Sequence, residues 1–190
     1  MIGMGVVWRA SVSTGAAYAA PLGLALEVPT FFEQRKALGK DWASTMEVAN
    51  GSAILLAIAA AVGACLIAAR WADSQTLALP MKRGHWWRNI VPAALIAVPL
   101  LVLHAGWVLG IVAFDKIGGL AGLPSWAVLV PASAAILACA LAGSLIGGVA
   151  RSYLAGPVLG VALYLALINR GPVIGPMFSL GGIGNRLLGL

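Results

Sequence analysis

Residues able to do chemistry are few in this 190-residue chain: two histidines, His85 and His104, and six carboxylates. A zinc protease needs His-Glu-x-x-His on one helix face, and the two histidines are too far apart to supply it. No phosphate loop of the form Gly-x-x-x-x-Gly-Lys-Ser/Thr is present, so the chain cannot act as an ATPase alone. No apolar run holds a pair of carboxylates for acid–base work. Ser144 and His104 could form an intramembrane serine-protease pair by position, but no flanking pattern supports them. His104 is the one strongly ionisable residue deep in an apolar run, where such groups are costly and often functional. A proton relay needs a second acid at similar depth. Glu27 and Asp115 lie only at the ends of apolar runs. His104 is therefore expected to be a neutral hydrogen-bonder between helices, and no catalytic residue or metal site is expected.

The other concentration of reactive groups is RWADSQTLALPMKRGHWWRN, residues 70–89. Asp73-Ser74-Gln75 suits a helix N-cap, and Thr76 to Leu79 a short helix ended by Pro80. Lys82, Arg83 and His85 follow. A basic loop of this kind anchors anionic headgroups. Leu77, Leu79 and Met81 add apolar surface that headgroup attraction does not require, which points to a docking helix for a cytosolic partner. Trp71, Trp86, Trp87 and Arg88 suit the membrane interface, where an indole has one apolar and one wet side.

The elements that position these groups are set by composition. The chain is 61% hydrophobic and 9% charged, against roughly 25% charged in soluble domains. This predicts an all-α, polytopic transmembrane bundle forming one domain over residues 1–190, and sets aside nucleic acid as the partner of the +6 net charge. Spans of about 20 residues are predicted near 11–28, 49–69, 90–114, 126–150 and 151–168. The last two are parted by a break at Gly147-Gly148 before Arg151. Gly171 to Leu190, rich in Gly and Pro, suits re-entrant or interfacial pieces shielded by protein. Residues 11–15 are too polar for the core of a signal peptide. Cys65 and Cys139 read as small core residues.

Charge orients the bundle. Arg9, the 70–89 loop (Arg70, Lys82, Arg83 and Arg88 against Asp73) and Arg151 fall on one side. Lys and Arg favour the cytoplasmic face, so the N-terminus is expected in the cytoplasm and the protein in the cell membrane. The mixed 28–48 segment lies outside, as do Arg170 and Arg186 unless the tail re-enters. Three Gly-x-x-x-Gly pairs, 106/110, 143/147 and 156/160, predict close helix packing within the bundle, with a homodimer seam as the sharper version. Pro92, Pro99, Pro131 and Pro157 are expected to kink their spans.

The layout carries a resemblance. A second span ends Ala68-Ala69-Arg70-Trp71-Ala72-Asp73. A loop then passes through Leu79-Pro80-Met81-Lys82-Arg83-Gly84-His85-Trp86-Trp87 into a third span. This resembles the permease subunit of the type-2 class of ABC exporters, in the divergent form common in high-GC Gram-positive bacteria. The resemblance implies six spans with cytosolic termini, and re-entrant pieces where Gly171–Gly189 falls. It also implies a coupling helix at Ala72–Arg88 seated on a separate ATPase subunit, which would hold the ATP and magnesium. This chain would need no cofactor of its own, and its partners would be the bilayer, that ATPase, and a second copy or second permease chain. The predicted five spans fall one short of the family's six. The expected function is thus the membrane-spanning subunit of an ABC-type exporter, coupled through residues 73–88. The alternative is a non-catalytic scaffold or accessory subunit of a larger membrane complex.

Overall fold

The computed structural model describes Tyr18, Pro21–Gly23, Ala25, Val28, Pro29, residues 42–73 and 86–117, Ala127 and residues 129–168. Among these residues the chain is all-α, with no strand. Four helices follow in order: α1 (Trp42–Asp73), α2 (Trp86–Ile117), α3 (Leu129–Ala150) and α4 (Ala155–Ile168). Three are long and apolar enough to cross a membrane, over Ala49–Ala72, Asn89–Ala113 and Leu129–Ala150. The chain is a helical membrane protein. α4 is apolar but shorter. The predicted first span touches the described residues mainly at helical Pro21–Gly23, and the 171–190 tail lies outside them.

α1 and α2 each have 32 residues, about 48 Å at 1.5 Å per residue. Both exceed a hydrocarbon core of about 30 Å, and both exceed the apolar runs that predicted them. No proline or glycine lies in the residues that extend either helix beyond its run, so nothing stops the backbone hydrogen bonds at the bilayer edge. The extension of α1 is covered: Trp42, Met46 and Ala49 form a second apolar cluster with Val108 and Ile111 of α2.

α1 is the axis of the bundle. Its membrane window is 67% buried, against 33% for α2 and for α3. Residues 42–49 cluster with 107–112, and 56–67 with 93–100, so α1 and α2 run antiparallel. Gly143 faces Ala61 and Gly147 faces Cys65, so α3 runs parallel to α1. Gly156 meets Leu66 and Gly160 meets Val62, so α4 runs back. The up–down alternation read from charge is present in these four helices. Gly23 adds a segment packed against Leu56 and Ala59 of α1 and near Leu100 of α2.

Small residues make the core. Ala57, Ala60 and Ala64 of α1 meet Ala93 and Ala97 of α2 and Ala135 and Ala140 of α3. In lipid there is no hydrophobic drive between helices, so close approach and dispersion hold them together. The tightest seam is α1–α3. A Cβ on Gly143 would strike the Ala61 carbonyl and lie 2.8 Å from its Cα; one on Gly147 would strike the Cys65 carbonyl and lie 2.9 Å from its Cα. An ideal Cβ takes the place of a glycine hydrogen, so each glycine directs a Cα–H at a carbonyl oxygen, a weak hydrogen bond repeated one turn apart.

Two details differ from the sequence reading. Gly147-Gly148 does not break the chain; both stay helical in α3, and the turn falls at 151–154. There Arg151 takes a positive φ of 49°, and its N–H donates to the Gly147 carbonyl at 3.0 Å, an αL cap of the kind glycine usually provides. Of the four prolines, only Pro92 and Pro99 are interior to a long helix. Pro131 and Pro157 sit in the first turns of α3 and α4, where the missing N–H has no helical partner to lose.

Candidate functional site

The predicted site residues fall into two places: one end of the bundle and one layer of its interior. At the end, α1 stops at Asp73 and α2 starts at Trp86, so these two helix ends lie on the same side. Leu77, Leu79, Met81, Lys82, Arg83 and His85 lie outside the described residues. Asp73, Trp86, Trp87 and Arg88 are placed as helix-terminal residues only. Trp71 packs its ring against the main apolar cluster, and its indole Nε1 is buried without a hydrogen-bond partner among the described residues.

The same end receives the α3–α4 turn. The Arg70 guanidinium donates through Nη1 to the Tyr153 hydroxyl at 3.3 Å. Arg151, two residues earlier, is exposed. Arg70 and Arg151 therefore share one end of the bundle, as charge alternation predicts. The local reason is capping. Arg70 occupies the last turn of α1, where a cation meets the negative end of the helix dipole. The Ser152 Oγ accepts from the Leu154 N–H at 3.3 Å and so helps start α4.

In the interior, His104 is 2% exposed. It lies on the stripe Ala93, Ala97, Leu100, Val108 and Ile111, the buried face of α2, at helical spacing. Leu100 is level with Leu56, and Val108 with Met46 and Ala49. His104 is therefore level with the start of the α1 membrane window, where Asn50 and Ser52 are also buried. Ser52 donates to the Ala49 carbonyl at 2.9 Å. Asn50 Oδ1 is buried with no partner among the described residues, a deficit that typically costs about 1–3 kcal/mol.

Ser144 is not in this layer. It is fully buried and donates through Oγ to the Asn89 carbonyl at 2.6 Å. Asn89 begins the membrane window of α2, fifteen residues before His104, roughly 22 Å along the helix axis. The structure separates Ser144 from His104, and no serine–histidine pair forms. The carbonyl that Ser144 meets is next to that of Arg88, which Pro92 deprives of its helical donor. Ser144 thus joins α3 to α2 beside the carbonyl that Pro92 leaves free, one residue from the glycine that joins α3 to α1.

Among the described residues, no three His, Cys, Asp or Glu side chains gather into a metal site. Cys65 and Cys139 are unbridged, and Cys65 is fully buried. Sequence reasoning missed Tyr153, whose role depends on a contact with a residue 83 positions away. It also missed Asn50, although Asn50-Gly51-Ser52 interrupts the apolar run at its first turn. The chain matches no protein-family model, no curated protein and no solved structure.

Proposed function

We propose that the chain is the membrane-spanning subunit of an ABC-type exporter, multi-pass in the cell membrane with its N-terminus in the cytoplasm. A separate ATPase subunit would drive it through residues 73–88. One observation carries this reading. Two antiparallel helices of 32 residues each end and begin on either side of the basic 74–85 sequence, at the end that also holds Arg70 and Arg151. A load applied to that loop would move α1 and α2 as stiff levers. α1 carries α3 and α4 with it through the glycine contacts, so one handle would shift the whole bundle. Leu77, Leu79 and Met81 would fill a groove on the ATPase, and Lys82, Arg83 and His85 would orient the loop.

The test is co-purification of the tagged chain in mild detergent, with crosslinking from positions 73–88. The expected result is an ATPase crosslinked to this loop, with association lost in the Leu77→Asp/Leu79→Asp variant and the melting temperature unchanged. Retained association in that variant, or a stable complex without an ATPase, would overturn the reading. The second reading, a fixed scaffold subunit, is favoured by the backbone-to-backbone seam of α1 and α3. Such a seam resists sliding, and a stable ATPase-free membrane complex would select this reading.

A further inference from the structure

We propose that Arg70, Arg151 and Tyr153 form a binding site for the phosphate of an anionic phospholipid, at the end of the bundle where α1 meets the α3–α4 turn. Charge is the first ground. Arg70, Arg88 and Arg151 belong to this end against Asp73 alone, and the 74–85 sequence between α1 and α2 adds Lys82 and Arg83 with no acid. The fold adds a specific pairing to that excess. Arg70 reaches across to Tyr153 at 3.3 Å, and Arg151 is two residues from Tyr153, with Cα atoms within about 7 Å. A guanidinium has five donors, and the bond to Tyr153 uses one. Tyr153 is 44% exposed. While accepting from Arg70 it can turn its own hydrogen toward a phosphate oxygen.

The backbone at Arg151 is the second ground. At a φ of 49° a non-glycine residue costs roughly 1–2 kcal/mol. This chain has 24 glycines, two of them at 147 and 148. Arg151 is exposed in that conformation, so the strained turn holds a charge at the surface of this end, where an anion can reach it.

The flanks choose the source of the phosphate. Val149 is 84% exposed and Leu154 is 74% exposed, on either side of Arg151 and Tyr153. A soluble anion gains nothing from these side chains. A phospholipid places its phosphate directly above acyl chains, and both parts then find a partner on one turn. The first turn of α4 begins here as well, and its positive end favours an anion.

The site is tested by native mass spectrometry of the detergent-solubilised chain, titrated with phosphatidylglycerol, phosphatidylcholine or inorganic phosphate. The expected result is preferential retention of phosphatidylglycerol. Arg70→Gln and Arg151→Gly should each weaken it about fivefold, from about 1 kcal/mol per basic residue near an anionic headgroup, and the double variant about twenty-five-fold. Arg151→Gly keeps the positive-φ backbone, so its loss of binding cannot come from misfolding. Equal retention of phosphatidylcholine, or full retention of phosphatidylglycerol by the double variant, would overturn the site. Binding of inorganic phosphate with no preference among lipids would overturn the lipid assignment.

Discussion

Gly143 of α3 lies directly on the backbone carbonyl of Ala61 in α1, with no side chain between the two helices. The contact repeats one turn later at Gly147 and Cys65, and it sets the distance and the parallel course of the central pair. Everything else in the bundle is positioned from that seam. Its partner helix α1 also carries the antiparallel contacts to α2 and α4.

Adding a methyl group at this seam should be expensive. Gly143→Ala should destabilise the bundle by about 1–3 kcal/mol, the usual range for overpacking, because a backbone carbonyl cannot turn aside. Gly106→Ala is the matched control. Its Cβ would meet nothing within 4 Å among the described residues, so only helix propensity changes, by up to about 1 kcal/mol in favour of alanine. Thermal unfolding in a single detergent compares the two. Equal losses would mean that the 106/110 face is also packed, as a homodimer seam would require.

Ser144→Ala removes the hydroxyl that donates to the Asn89 carbonyl. Interhelical hydrogen bonds in membranes average about 0.6 kcal/mol and reach about 1.7. A loss within that range is expected in denaturation by a harsh detergent. A loss well above it would show that Ser144 supports the Pro92 turn of α2 as well as the carbonyl.

Arg151→Gly should stabilise the chain by about 1 kcal/mol, since glycine adopts the positive φ of the turn without steric cost. Arg151→Val should do the reverse, because a β-branched residue is least tolerant of that conformation. Melting temperatures of the two variants should bracket that of the parent chain. Any other order would place the turn in a different backbone conformation.

His104→Ala should cost about 2 kcal/mol or more. It opens a cavity in a fully packed layer and removes a buried polar group. Refilling the volume, as in His104→Phe, should recover part of the loss in thermal melts. Full recovery would assign His104 to packing alone, and no recovery would assign it to hydrogen bonding.

Composition and periodicity alone determined the class. A chain with so few charges and such long apolar runs must put its helices in lipid, because only helices satisfy their own backbone there. Alternating basic loops likewise placed Arg70 and Arg151 on one side, since charge bias is a one-dimensional property of the chain. Partnering is not such a property. The three Gly-x-x-x-Gly pairs look alike in sequence, yet 143/147 faces backbone, 156/160 faces Leu66 and Val62, and 106/110 meets nothing among the described residues. Ser144 and His104 looked equally available to each other, and the fold set them roughly 22 Å apart along α2 by bonding Ser144 to Asn89. The Arg70–Tyr153 bond was equally illegible, because it depends on where α3 ends and on how far α1 runs past the apolar core. Only the packing of α3 on α1 decided which small residues meet, and with them which polar groups share a depth.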